Sequence, residues 1–350
     1  MRLIEQIWFN DPKINKHTAI AIKLLLLPFS LLFWLLSAIR RKSYQLGLLK
    51  SIKLDAPVIV VGNISVGGNG KTPMVLWLIE QCRLLGLTAG VISRGYGGKA
   101  KHYPLVVDNN TTPAQAGDEA VMIYQRTGVA VAVGSDRIAS AQQLISKGCD
   151  IIISDDGLQH YRLARELELV IVDGKRGFGN GILMPAGPLR EGLWRLKTVD
   201  HLIINGEHKS QQISSLAKKN SRLITMKLAT NDVVNIVSGE RLNLSVFFRQ
   251  HPCVNAIAGI GSPQRFFDTL LANKFNLNKQ QAFVDHYAYQ TQDFSGFSAI
   301  IPLLMTEKDA VKCQQFAKDN WWYVPVDTNF DDEQIMPLLR QIIKISSENK

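Results

Sequence analysis

The stretch "SVGGNGKT", Ser65 to Thr72, places Gly67, Gly68, Asn69 and Gly70 directly before Lys71 and Thr72. Glycines let consecutive backbone N–H groups turn toward a phosphate, a lysine reaches the β/γ oxygens, and a hydroxyl can serve a magnesium ion. Ser65 stands where the G-x-x-x-x-G-K-[ST] pattern has its first glycine. An apolar run precedes the loop and a helical pattern follows it, which is the context such a loop requires. Nucleotide binding is the expectation; the alternative is a glycine-rich turn whose lysine is merely solvated.

Carboxylates near the loop are needed for magnesium. "CDIIISDDGLQH" ends a strand-like run in Asp155 and Asp156, where a metal-organising acid would sit, and "LELVIVD" ends in Asp173. Neighbouring strand residues face opposite ways, so the two acids of the doublet have different tasks. Tip aspartates also cap turns, which keeps a purely structural role open for each site taken alone. In "GDEA" Asp118 and Glu119 open a helical stretch, where the dipole favours negative charge without any catalytic role. "VDHYAY" holds Asp285, His286 and Tyr287, with His286 the one group there tunable near neutrality. "RGFGNGILMPAGPLREGLWRLK", Arg176 to Lys197, carries Arg176, Arg190, Glu191 and Arg195 on a loop-rich segment suited to phosphate recognition. "SRGYGG" sets Arg94 and Tyr96 just after a strand, at the ligand-binding edge of an open α/β sheet.

The elements that must position these groups are legible from Ala56 onward. "PVIVVGN", "LTAGVIS", "VAVAVG", "CDIIIS", "LELVIVD" and "HLIING" alternate with helical stretches, a rhythm that reads as a parallel sheet covered on both faces. Two crossover helices are expected: one from Pro73 to a stop at Gly86, the other capped at Ser135 with a stop at Gly148. A polar stretch beginning at Gly206, "GEHKSQQISSLAKKNSR", is the candidate linker, followed by the strand-like "LITMKLA" and "DVVNIVSGERL". A smaller α/β domain is expected beyond it. The domain reading is residues 1–45 as a membrane-associated helical segment, 46–225 as a phosphate-loop domain and 226–350 as a C-terminal domain, joined through a strand-like hinge.

With 350 residues the chain exceeds one comfortable core, and 46% hydrophobic content excludes a disordered chain. A formal charge of +10 points to an anionic partner: nucleic acid, lipid surface or phosphorylated substrate. Cys82, Cys149, Cys253 and Cys313 form no CxxC pair, so neither zinc nor a disulfide framework is indicated. "LLLLPFSLLFWLLSAI", Leu24 to Ile39, is free of charge and is followed by Arg40, Arg41 and Lys42. Membrane contact is expected, either spanning or lying in one leaflet; Trp34 and the basic flanks disfavour a buried core helix and place the following chain in the cytoplasm.

Taken in order, "VGNISVGGNGKTP", "SRGYGG", "GDEA", "GSDR", "SDDGLQH", "RGFGNGILMPAGPLRE", "DHYAY" and "TEKDAVKC" resemble the tetraacyldisaccharide 4'-kinases of lipid A biosynthesis, over most of the chain from Val61 to Cys313. The resemblance implies a RecA-like P-loop kinase core with a mainly parallel sheet, a smaller C-terminal α/β domain and an N-terminal membrane helix at the cytoplasmic face of the bacterial inner membrane. It implies ATP and Mg²⁺ as cofactors, and transfer to the 4'-hydroxyl of an acylated glucosamine disaccharide 1-phosphate, with no nucleic-acid or protein partner. By the matching motifs, Lys71 contacts the β/γ-phosphates, and Thr72, Asp155, Asp156 and Glu191 organise the metal. Asp118 resembles the family's candidate general base with His286 as its partner, brought together by domain closure. Arg137 and Arg190 resemble charge stabilisers, and Arg94, Tyr96, Gln159 and His160 belong to the substrate cleft.

Three other classes are weaker. A membrane-associated ATPase or GTPase switch would use a similar loop, but "TEKDA" has lysine beside aspartate and does not match the guanine signature [NT]-K-x-D. A kinase of soluble metabolism does not need the apolar N-terminus. Nucleic-acid binding would follow from charge alone, yet no module interleaves aromatic and basic residues.

Overall fold

A computed structural model of the chain describes residues 3–207, 213 and 223–348. The linker expected from Gly206 lies, apart from Gly206, Glu207 and position 213, outside the described residues. In chain order the first elements are α1 (Leu3–Trp8), α2 (Lys16–Gln45), β1 (Val58–Gly62), α3 (Lys71–Leu84), β2 (Ala89–Ser93) and β3 (Leu105–Val106). Next come α4 (Pro113–Ala116), α5 (Asp118–Thr127), β4 (Ala130–Val133), α6 (Arg137–Ile145), β5 (Ile151–Asp155), β6 (Leu167–Asp173), β7 (His201–Asn205) and β8 (Leu223–Ala229). The remainder comprises β9 (Asp232–Asn235), β10 (Arg241–Asn243), α7 (Leu244–Gln250), β11 (Cys253–Ala258), α8 (Pro263–Ala272) and β12 (Asn276–Ala282). It closes with β13 (Leu303–Thr306), α9 (Glu307–Cys313), β14 (Trp321–Val324), β15 (Asp327–Phe330) and α10 (Asp332–Ser347).

These elements form two compact units, one of residues 1–91, 141–227 and 330–350, the other of residues 92–140 and 228–329. In the first, β8, β7, β6, β1 and β5 are consecutive neighbours in a parallel sheet. Every residue of β1, β5 and β6 is buried, which is why these strands read as unbroken apolar runs rather than alternating ones.

In the second unit a six-stranded sheet runs β10-β9-β14-β13-β11-β12. Its β12, β11, β13 and β14 pair in parallel, and β9 turns antiparallel against β14 and β10. One apolar cluster packs Phe247, Phe266, Phe267 and Trp322 together, and a second gathers Tyr289, Phe294 and Trp321. Residues 92–140 are tied into this unit through α5, whose Arg126 pairs with Glu307 at 2.7 Å and with Asp327.

The expected crossover helices form, with one change of cap. The sequence predicts Ser135 as the cap of α6; instead Asp136 Oδ1 accepts from the amides of Ile138 and Ala139 at 3.1 and 3.2 Å. A carboxylate outcompetes a hydroxyl here because it accepts two amides at once and answers the helix dipole.

The N-terminal helix α2 is long and apolar enough to cross a membrane. One side of it is docked. Ser30 is 5% exposed, its Oγ donating to the Leu183 carbonyl at 2.9 Å and accepting from the Ala186 amide at 3.0 Å. Further along, Arg41 sits 3.4 Å from the ring centroid of Trp194 and Tyr44 stacks near Tyr161. Elsewhere Leu24, Leu25, Phe29, Leu31, Leu32, Leu36 and Ile39 stay exposed.

Candidate active site

The phosphate loop connects β1 to α3 in the first unit. Gly70 has φ +95, and a Cβ there would lie 2.6 Å from Asn205 Nδ2 and 3.0 Å from Met226 Cε. Only glycine fits, since the backbone is left-handed and the neighbours leave no room. Asn205 Nδ2 holds the Asn69 carbonyl at 3.0 Å, and Asn69 Nδ2 donates to Ser65 Oγ at 3.0 Å. The serine at the first glycine position thus closes the loop on itself. Alongside runs the segment ending in Arg190: the Val66 amide bonds the Pro188 carbonyl at 2.9 Å and the Arg190 amide bonds the Ile64 carbonyl at 2.7 Å.

Around the loop the fold collects charge. Lys71, the first residue of α3, has its Nζ 3.6 Å from Asp156 Oδ1, and Arg190 donates to both Asp156 oxygens at 3.0 Å. Asp156 has φ +49, whereas Asp155 is the last residue of β5, 1% exposed and in register with Val61 of β1. The doublet does divide, one acid in the sheet and one at its tip facing two cations. Asp173 serves its turn, accepting the amides of Lys175 and Arg176.

Glu191 sits among protein donors, away from the Lys71–Asp156–Arg190 group. It is 6% exposed, receives the Tyr161 hydroxyl and the Gln159 amide at 3.5 Å, and lies 3.5 Å from Arg195 Nε. Burial pushes its carboxyl up, against the lowering effect of Tyr161 and Arg195. Both oxygens face protein donors, so the carboxylate buttresses the loop in this state. Gln159 also donates to the Asn63 carbonyl at 3.1 Å, so it pins the loop's entry. His160 is half-buried, and its carbonyl is held by Arg165.

A second cluster lies in the other unit. Asp118 begins α5 and is 4% exposed. His286, held at φ +59 in the turn after β12, places Nδ1 at 3.1 and 3.0 Å from the two Asp118 oxygens. In this structure the two already touch, and both lie in the unit of residues 92–140 and 228–329. The Tyr96 ring stands 5.0 Å from the imidazole. Two lysines of α9 complete the cluster. Lys308 Nζ is 3.1 Å from Glu119, 3.6 Å from Asp285 and 3.9 Å from Asp118. Lys312 Nζ is 2.9 Å from Asp309 and 3.9 Å from Asp118. Burial opposes ionisation of Asp118, but the His286 hydrogen bond and the two lysines outweigh it and hold the carboxyl below its ordinary value. The same hydrogen bond raises His286 above its own, against burial and Lys308.

Arg137 is 4% exposed, and one of its nitrogens bonds the Ile92 carbonyl at 3.0 Å. Arg94 and Tyr96 are exposed on the turn after β2. The structure therefore unites Lys71, Asp156 and Arg190 in one cluster, and Asp118, His286 and Tyr96 in another. Lys308, Lys312 and Tyr161 were not singled out from sequence. The i, i+4 spacing of Lys308 and Lys312 within "TEKDAVKC" was the available signal for one cationic face.

A mainly parallel α/β sheet carrying a glycine-rich loop, lysine and helix at the tip of a buried strand defines the class of P-loop nucleotide-binding proteins. Within it the chain belongs to the tetraacyldisaccharide-1-P 4'-kinase family, whose profile matches residues 22–344. It is 60% identical over 333 residues to the tetraacyldisaccharide 4'-kinase of Colwellia psychrerythraea, covering 95% of this chain and 94% of that one. Against the corresponding enzyme of Actinobacillus succinogenes it is 47% identical over 330 residues, 94% of this chain and 97% of the other. The crystal structure of LpxK from Aquifex aeolicus in complex with ATP superposes with a TM-score of 0.78 at 28% identity, covering 93% of this chain and 99% of that one.

Proposed function

We propose that the protein transfers the γ-phosphate of ATP to the 4'-hydroxyl of an acylated glucosamine disaccharide 1-phosphate, at the cytoplasmic face of the inner membrane. The observation that carries the reading is the Asp118–His286 contact, in a chain of this family that also carries a phosphate loop. In the reaction the 4'-oxygen bonds to the γ-phosphorus, the bond to the β–γ bridging oxygen breaks, and ADP leaves. The hydroxyl proton passes to the Asp118–His286 pair, where the raised basicity of the imidazole and the ionised carboxylate share it.

Lys71 and Arg190, relieved of Asp156 when nucleotide enters, neutralise charge on the transferring group. Magnesium binds few protein carboxylates and takes much of its shell from phosphates and water. That demand fits Thr72, which opens α3 beside Lys71, with Asp155 and Asp156 at the end of β5. When bound, the ion would supply charge neutralisation to the triphosphate. Glu191 then holds the loop through Tyr161 and Arg195. Arg94, Tyr96 and His160 are assigned to the sugar.

The docked side of α2 favours a helix lying in one leaflet over one spanning the bilayer. A span would carry the Leu183 carbonyl and Ala186 amide, bonded to Ser30, into hydrocarbon. Such an anchor suits a substrate whose acyl chains stay in the membrane. The test is transfer of labelled γ-phosphate from ATP to the acylated disaccharide 1-phosphate in detergent micelles, for wild type, Lys71→Ala and Asp118→Ala. Labelled 4'-phosphate lost in both variants supports the reading; ATP hydrolysis without labelled lipid overturns it.

A further inference from the structure

A cavity of about 290 Å³ opens beside the C-terminal end of α2, in the first unit. Its wall includes Arg41 and Tyr44 from the helix, and Tyr161, Glu168 and Arg195 from the body of the unit. Most of this polar lining is satisfied internally. Arg195 donates to Glu168 and, at 2.6 Å, to Thr198; Glu168 also receives Arg165 at 3.0 Å; the Tyr161 hydroxyl is given to Glu191.

Besides the Arg195 Nε, the unmatched donor is on Arg41. Its guanidinium lies 3.4 Å from the Trp194 ring centroid, and among the described residues it has no carboxylate partner. Its Nε is buried and finds no hydrogen-bond acceptor. Stacking on tryptophan fixes the plane of the group without using its donors, so a forked donor is left pre-oriented at the cavity. A buried unmatched N–H costs free energy that an incoming acceptor recovers. The acceptor that matches a guanidinium fork is a planar carboxylate or a phosphate. The position favours phosphate: the preceding turns of α2 expose Leu32, Leu35, Leu36 and Ile39, the apolar side that a leaflet would cover next to its headgroups.

We infer that this cavity is a binding site for a lipid phosphate, gripped by Arg41, which Trp194 holds in place, and flanked by Tyr44. The inference rests on the membrane association proposed above. Two sources share the chemistry: an anionic phospholipid of the bilayer, or the 1-phosphate of the acceptor itself.

The full-length protein is co-sedimented with vesicles of phosphatidylcholine alone and of phosphatidylcholine with phosphatidylglycerol, for wild type, Arg41→Gln, Lys42→Gln and Trp194→Leu. Thermal unfolding midpoints confirm that each variant is folded. Removing exposed Lys42 measures the generic loss of one surface charge, about fivefold in affinity for the anionic vesicles. A phospholipid site predicts a loss in Arg41→Gln at least about threefold beyond that of Lys42→Gln. It predicts a similar preferential loss in Trp194→Leu, which changes no charge. A site for the acceptor's phosphate predicts instead that Arg41→Gln raises KM for the disaccharide 1-phosphate severalfold and leaves KM for the acceptor lacking that phosphate unchanged. Arg41→Gln equal to Lys42→Gln, with Trp194→Leu equal to wild type in both assays, overturns the site while the membrane reading stands. Wild type that binds neither vesicle overturns the membrane reading, and this site with it.

Discussion

His286 Nδ1 lies 3.1 and 3.0 Å from the two carboxylate oxygens of Asp118, a residue 168 positions earlier in the chain. Each group shifts the other toward its charged form, so the contact joins proton handling to the stability of one unit.

Replacing Asp118 by Asn keeps the shape and removes the acceptor charge. A positioned base contributes about 10²–10⁴-fold, and a kcat loss in that range is expected, with KM for ATP little changed. Lys71→Ala is expected to cost more than His286→Ala, because alignment and charge neutralisation dominate phosphoryl transfer. Initial rates of labelled phosphate transfer across the three variants check the order.

The pair also sets a pH window for stability. His286 is raised in the folded state, so its contribution is complete below its unfolded value and is lost as pH rises through the folded one. Asp118 is lowered, so its contribution is present above its unfolded value and is lost as pH falls through the folded one. Denaturant midpoints are therefore expected to peak between the carboxylate range and the raised imidazole, and His286→Gln is expected to flatten the alkaline flank. An unchanged alkaline flank in that variant would count against the coupling.

Lys308→Met leaves Asp118, Glu119 and Asp285 facing one another without their shared cation. Breaking a buried pair by removing one partner costs roughly 3–5 kcal/mol, and the lower end is expected because Glu119 and Asp285 reach solvent. The acid limb of the kcat profile is expected to move to higher pH as Asp118 loses a lowering influence. Urea unfolding and a pH–rate profile read the two effects separately.

Gly70→Ala is strained by the left-handed backbone and by Asn205 at 2.6 Å. Holding a non-glycine residue there costs of order 1–3 kcal/mol, and movement of Asn205 would release the Asn69 carbonyl. ATP affinity, measured by calorimetry, is expected to fall at least tenfold.

How far the residues alone reach differs from one element to the next. The phosphate loop, the six expected strand runs from β1 to β7 and the apolar N-terminal segment were readable, because each is a local pattern: a glycine cluster, unbroken β-branched runs, a charge-free stretch. Motif order along the chain was enough to suggest the family. Tertiary structure decided what depends on partners distant in sequence. It gave Glu191 to Tyr161 and Arg195, gave Asp173 to its own turn, docked α2 through Ser30, and surrounded Asp118 with two lysines from α9. Periodicity and turn chemistry report a residue's neighbours in the chain, whereas the protonation and task of a buried acid are set by the charges that folding brings within a few ångströms.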